Sequence, residues 1–338
     1  MTESGALPRP LRTPQPLIQV QKLTKFFPVR RGWFGRTHLV RAVNGVSFYV
    51  RHAETLGIVG ESGCGKTTLG RTMLRLLEPT FGRIVFDGQD VTPLSQGELR
   101  PLRKRMQIVF PDPSASLHPR MTVRALLAEP LRAHRLVRDR GEQEDRISTL
   151  LRNVGLRPEW MHRYPHELSA GQRQRLSIAR ALAVEPQLLV CDDPFGAVDA
   201  SNRARIVNLL LELQENADLS VLLATRDAPI VEYMSHRVAV MYLGRVVELG
   251  PTRSLFDQPY HPHTHTLLGQ APASESTPPQ RSSRLTSQLP SAFVPPSGCA
   301  FHPRCPRAIE GQCGVEEPEL RELDPNSHHW VACHNPIA

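Results

Sequence analysis

The octamer Gly60-Glu61-Ser62-Gly63-Cys64-Gly65-Lys66-Thr67 constrains this chain more than any other stretch. A short apolar run, Thr55-Leu56-Gly57-Ile58-Val59, precedes it, and Leu69, Met73 and Leu76 follow at helical spacing between Lys66 and Leu77. A G-x-x-x-x-G-K-[ST] loop joining a buried strand to a helix is a phosphate-binding device. Glycines let successive backbone N–H groups converge on phosphate oxygens, and the helix N-terminus adds its dipole. Gly60, Ser62, Gly63 and Gly65 form the cradle. Lys66 is expected to bridge the β- and γ-phosphates, Thr67 to ligate Mg²⁺ through its hydroxyl, and Thr68 to support the α-phosphate side. Both required flanks are present, which weighs against a glycine-rich turn that binds nothing.

Further strands are expected at Leu17–Phe27, Leu39–Val50, Arg83–Phe86, Gln107–Phe110, Leu188–Cys191, Val221–Ala224 and His236–Tyr242, with helical patterns between the later ones. That alternation predicts an α/β fold with a mostly parallel sheet wrapped by helices. Residues 121–180 offer no strand and read as an inserted helical subdomain. Residues 1–16, rich in Pro and Arg, read as a disordered arm, and Arg30–Arg36 as a hairpin insertion. The main domain is expected over 17–270. A Pro/Ser/Thr-rich linker (271–296) and a cysteine-bearing tail (297–338) follow it.

At 338 residues, with 40% hydrophobic and 22% charged residues, the chain has core material for one large domain and an appendage. No apolar run reaches membrane-spanning length, and the first residues lack the apolar core of a secretory signal. A protein kept in the cytosol is the expectation, reaching any membrane by docking to other subunits. The net charge of +8 is spread along the chain, which favours a generally basic surface over a nucleic-acid site.

An apolar strand, Leu188–Cys191, that ends in Asp192 is the natural partner of the phosphate loop, because it sets a carboxylate near Mg²⁺. Leu168-Ser169-Ala170-Gly171-Gln172 begins another helix with a serine cap. Taken in order with the phosphate loop and with Ala224-Thr225-Arg226-Asp227, these stretches resemble the ATP-binding subunits of ABC transporters. More narrowly, Phe26-Phe27-Pro28-Val29-Arg30, Ser116-Leu117-His118-Pro119-Arg120, Val240-Met241-Tyr242-Leu243-Gly244 and Cys299-Ala300-Phe301-His302-Pro303-Arg304-Cys305 resemble dipeptide/oligopeptide importer ATPases.

The resemblance implies an antiparallel β subdomain beside the core and Phe26 as the adenine-stacking aromatic, with Phe27 as its neighbour candidate. It also implies that Ser169, Gly171 and Gln172 serve the γ-phosphate bound to a partner subunit. Where the family has Gly, this chain has Ala170, a clash if that backbone requires positive φ. Asp199 matches the inter-site loop. Two membrane permease subunits and an extracytoplasmic substrate-binding protein are the implied partners, at the cytoplasmic face of a bacterial inner membrane. The alternative is a soluble non-transport ABC ATPase acting on nucleic acid or ribosomes.

Three positions depart from the family around the γ-phosphate. Its Gln is Pro111, with no side-chain polar group and no N–H. Its general base Glu is Asp193, and its switch His is Arg226, which cannot relay a proton. Each change costs on the order of 10²–10³ in turnover, without simple additivity. The expectation is a site that holds ATP but hydrolyses it poorly, with Asp193 at most a slow base. A heterodimer with a complete ATPase subunit follows, this chain donating its signature to the working site.

Cys64 and Cys191 read as packing residues. Cys299, Cys305, Cys313 and Cys333, spaced C-x₅-C-x₇-C-x₁₉-C, can hold Zn²⁺ or a [4Fe–4S] cluster, and the resemblance favours the cluster. His261, His263, His265, His328 and His329 are expected at turns and on the surface.

Overall fold

The computed structural model describes residues 15–30, 37–196, 198–269, 295–323 and 327–337. The N-terminal arm, the insertion and the linker anticipated from composition lie outside them, apart from edge residues. Two sheets carry the fold. The smaller is antiparallel, in the order β2 (Thr37–Val50), β1 (Ile18–Arg30), β4 (Phe81–Phe86), β5 (Gln89–Asp90). β1 and β2 pair from Ile18 opposite Val50 to Arg30 opposite Thr37, so they are the two arms of a hairpin.

The larger sheet has five parallel strands in the order β9 (Arg237–Tyr242), β3 (Thr55–Val59), β8 (Ser220–Thr225), β7 (Leu188–Asp192), β6 (Met106–Val109). β3, β7, β8 and β9 are buried along their whole length, as continuous Val/Leu/Ala runs in a covered parallel sheet require. Antiparallel strands extend the β9 side: β10 (Arg245–Pro251), then β12 (Trp330–Val331) and β11 (Arg321–Glu322). The tail is thus part of the core sheet. Its short strands were missed in the sequence because two residues carry no alternation to detect.

Helix α1 (Lys66–Met73) starts at the phosphate loop, and α2 (Gln96–Arg103) follows the small sheet. α1 stops before the expected Leu77, where Arg75 enters positive φ. The helical subdomain consists of α3 (Val123–Ala133), α4 (Arg140–Asn153) and α5 (Ala170–Leu182), capped by Thr122, Asp139 and Ser169. Leu126, Leu131, Ile147, Leu151 and Leu176 join it to the sheet in one core. α6 (Ala200–Ala217), α7 (Ala228–Met234), α8 (Thr252–Asp257) and α9 (Pro262–Leu268) complete the wrapping.

Candidate nucleotide site

Parallel strands end at a common edge, so the loops after β3, β6, β7 and β8 converge there. They enclose a cavity of about 410 Å³ lined by Ser62, Gly63, Gly65, Lys66, Thr67 and Thr68 from the phosphate loop. Pro111, Asp192, Asp193 and Arg226 line the same cavity. Residues far apart in sequence are therefore one site, and the three departures surround it.

Two of the loop's glycines are required by close contact. A Cβ on Gly60 would lie 2.2 Å from the Met241 carbonyl oxygen, and one on Gly65, at φ 109°, 2.1 Å from that of Ala42. Lys66 Nζ donates to the carbonyls of Gly60 at 2.7 Å and Glu61 at 3.0 Å, which fixes the ammonium inside the loop. Thr67 Oγ1 donates to Asp192 Oδ1 at 2.8 Å. Burial pushes the Asp192 carboxyl up, against the pull of the Thr67 hydroxyl and Arg71. Its second oxygen, Oδ2, is buried with no partner among the described residues. A hydroxyl and an orphaned carboxylate oxygen side by side are the donor set a magnesium ion takes. Thr67 and Asp192 are the residues that would hold such an ion.

Asp193 stands at φ 44°, a left-handed conformation that Asp tolerates. Thr225 Oγ1 donates to its Oδ1 at 2.9 Å, and Arg226 Nε lies 4.0 Å from its Oδ2. Both carboxylate oxygens thus face protein groups. Gln174 donates to the Phe110 carbonyl at 3.3 Å, tying the segment before Pro111 to α5. Thr225 and Gln174 were not singled out from the sequence. Their partners are 32 and 64 residues away, and no local spacing signals them.

Phe26 does not line the cavity. It pairs with Arg41 across the hairpin, the guanidinium 5.8 Å from its ring centre, while Phe27 pairs with Val40. Arg41 and Val40 themselves form the cavity wall.

Ser169, Gly171 and Gln172 are also absent from the cavity wall. Ser169 and Gln172 form a capping box: the Ser169 hydroxyl accepts from the Gln172 N–H at 3.3 Å, and Gln172 Oε1 accepts from the Ser169 N–H at 2.9 Å. Ala170 opens α5 with ordinary helical backbone, so the positive-φ clash does not arise. Gly171 is needed for contact, since a Cβ there would come 2.5 Å from Asn202 Cγ. Asn202 Nδ2 in turn donates to Asp199 Oδ2 at 2.7 Å, which joins the signature to the inter-site loop.

Burial, with a smaller contribution from neighbouring tail cysteines, raises the thiols of Cys299, Cys305 and Cys333, the last to about 11. Backbone N–H groups aim at the sulfurs: Phe301 and His302 at Cys299, Arg307 at Cys305, Asn335 at Cys333, and Ile309 at Cys313 at 3.2 Å. Among the described residues, however, no three His, Cys, Asp or Glu side chains stand at metal-ligand spacing. Cys64 and Cys191 are buried packing residues, with Cys191 pushed up to about 12 by burial. The surface expectation fails for His261, His263 and His329, which are fully buried. Their cover comes from β9, β10 and the tail, elements distant in sequence or without local signal.

The geometry defines a phosphate-loop ATPase cassette. The ABC transporter family model matches residues 43–196, and the oligopeptide/dipeptide transporter C-terminal region model matches 247–313. The oligopeptide transport ATP-binding protein AppF of Bacillus subtilis is 46% identical over 322 residues, covering 94% of this chain and 97% of AppF. The probable peptide ABC transporter ATP-binding protein y4tS of Sinorhizobium fredii is 47% identical over 319 residues, covering 94% and 89%. Among solved structures, a dimeric ATP-binding cassette in a post-hydrolysis state with ADP and Pi superposes with a TM-score of 0.63 at 27% identity. It covers 70% of this chain and 99% of that one. The chain belongs to the family of ABC transporter ATP-binding proteins, in the branch carrying the oligopeptide/dipeptide transporter C-terminal region.

Proposed function

We propose that this chain is the ATP-holding, hydrolysis-impaired half of a heterodimeric ATPase that drives a bacterial di/oligopeptide importer. One observation carries the reading: Pro111, Asp193 and Arg226 line the same cavity as Lys66 and Thr67. The phosphate loop and the Thr67–Asp192 pair are intact, so MgATP binding is retained. What is altered is the ring of groups that would orient and deprotonate the attacking water. The Asp193 carboxylate is a methylene short and is occupied by Thr225 and Arg226. Arg226 offers the γ-phosphate a fixed charge and no proton relay.

Turnover then belongs to the second interfacial site. There a partner ATPase supplies loop, base and switch, and this chain supplies Ser169, Gly171 and Gln172 at the N-terminus of α5. That helix end presents unpaired N–H groups and a positive dipole to the partner's γ-phosphate. Asp199, bound to Asn202 beside Gly171, links the two sites. Phe26, or Phe27 beside it, remains the choice for stacking on adenine. The chain would work at the cytoplasmic face of the inner membrane with two permease subunits, fed by an extracytoplasmic binding protein. Names of relatives such as AppF, together with the C-terminal region match, favour this over an ATPase acting on nucleic acid or ribosomes.

Cys299, Cys305, Cys313 and Cys333 would hold a [4Fe–4S] cluster, or Zn²⁺ in its place. The support is the set of backbone N–H groups directed at the sulfurs, which favours thiolates. Such a group would supply a structural cross-link. Iron, zinc and acid-labile sulfide content, with visible absorption, decide between them.

The test is ATP turnover of the chain alone and co-purified with its partner ATPase. Negligible turnover alone, and turnover in the complex that survives Lys66→Ala here, support one working and one holding site. Vigorous turnover alone would overturn the proposal.

A further inference from the structure

Between Cys299 and Cys305, a short 3₁₀ turn (His302–Arg304) aims Arg304 at the phosphate loop. Arg304 Nη1 donates to Glu61 Oε1 at 3.0 Å and to Tyr242 Oη at 3.2 Å, across 243 and 62 residues of chain. The Arg304 side chain is 4% exposed and that of Glu61 18%. Glu61 is the second residue of the phosphate loop, and its own carbonyl, with that of Gly60, receives Lys66 Nζ. The contact is built in from both sides. The buried Phe301 ring packs edge-on against Tyr242 at 5.3 Å, and His263 tilts against Tyr242 at 4.6 Å. His263 Nδ1 lies 3.7 Å from the Glu61 carboxylate. Burial holds that imidazole far below its usual range, at about 3, so it stays neutral, and the cation meeting Glu61 is Arg304. Pro295, also from the C-terminal segment, lines the nucleotide cavity.

We infer that Arg304 is a positioning residue for the phosphate loop, through which the C-terminal cysteine extension sets this site's affinity for nucleotide. A loop backbone must be held rigid for its N–H groups to converge on phosphate oxygens. Glu61 precedes the first converging N–H groups, and the carbonyls on either side of its Cα hold the lysine. A glutamate in such a loop without a partner would be free to rotate. Here a partly buried, charge-assisted bond anchors it to an element more than 200 residues away. Displacing the turn between Cys299 and Cys305 would release Glu61, loosen Lys66 and lower nucleotide affinity without touching any group that contacts phosphate.

This inference rests on the reading of the cavity as a MgATP site, and the experiment separates the two. The dissociation constant of a fluorescent ATP analogue with Mg²⁺ is measured on the full chain for the wild type, Arg304→Met, Glu61→Gln, the double variant, Arg304→Lys and Lys66→Ala. Each single change at the pair is expected to weaken binding about three- to tenfold. The double variant should be no weaker than the worse single one, and Arg304→Lys should recover part of the loss. Amide exchange should quicken in residues 60–66 of Arg304→Met while the helical subdomain keeps its protection. Glu61→Gln, nearly isosteric, keeps the test sharp if Arg304→Met unfolds. Wild-type affinity in both single variants, or additive losses in the double, would refute the positioning role. Indifference of binding to Lys66→Ala would instead refute the ATP-site reading itself.

Discussion

Replacing Asp193 with Glu is the perturbation whose outcome the structure ranks most clearly. On the proposed reading two effects limit Asp193 as a base, and they differ in size. The first is reach: one methylene retracts the carboxylate by about 1.5 Å, and a misplacement of about 1 Å can cost around a hundredfold. The second is the ion pair with Arg226, at 4.0 Å. Coulomb's law at an effective dielectric of about 20 gives roughly 4 kcal/mol at that distance. Arg226, however, is 62% exposed, so solvent screening leaves no more than about 1 kcal/mol, a factor of about five. Reach therefore dominates. In a steady-state assay of the isolated chain at dimer-forming concentration, Asp193→Glu should raise turnover by on the order of 10², Arg226→Ala by less than about fivefold. The longer side chain takes up a left-handed backbone that Asp accepts more readily, at about 1–2 kcal/mol, so a small fall in melting temperature should accompany the gain. Full recovery by Arg226→Ala alone, or no gain from Asp193→Glu, would refute this ranking.

Asp192→Ala should weaken Mg²⁺-dependent nucleotide binding about ten- to a hundredfold while sparing Mg²⁺-free binding, as titrations with and without chelator would report. Gly171→Ala drives a methyl into Asn202 and should cost about 1–3 kcal/mol by thermal melting. It should also lower turnover in the partner complex, and Asn202→Ala should relieve part of both losses. His261 and His263 are held by burial at about 4 and about 3, below the range they recover on unfolding. The unfolded state therefore binds protons that the folded state refuses. Stability, near full above about pH 7, should fall as pH drops, toward 4 for His261 and toward 3 for His263, by about 1.5 kcal/mol per ring between 6.5 and 5. Melting at pH 7.5 and 5.0 measures this. His263→Leu, which removes ring nitrogens with no partner among the described residues, should flatten the slope.

Local patterns made the phosphate loop, the strand ending at Asp192 and the capped start of α5 legible, because each is a short stretch whose chemistry depends on neighbours in sequence. The bounds of β3 were read correctly for the same reason: an uninterrupted apolar run between turn residues. β10 escaped notice although it is seven residues long, since Gly244-Arg245 and Glu248 interrupt its apolar run. Glu248 is buried there only because His329 and two backbone N–H groups from the next turn, of Tyr260 and His261, satisfy it.

By itself, then, the sequence determined that this chain belongs with ATP-binding subunits built on a phosphate loop, and which three positions depart from that family. Each is a matter of residue type at short spacing. Tertiary structure alone decided that the three departures share one cavity with Lys66, that Thr225 and Arg226 occupy Asp193, and that Arg304 reaches Glu61. Those contacts join residues brought together by sheet order and by the tail's pairing with β10. No residue carries a local mark of a partner that distant.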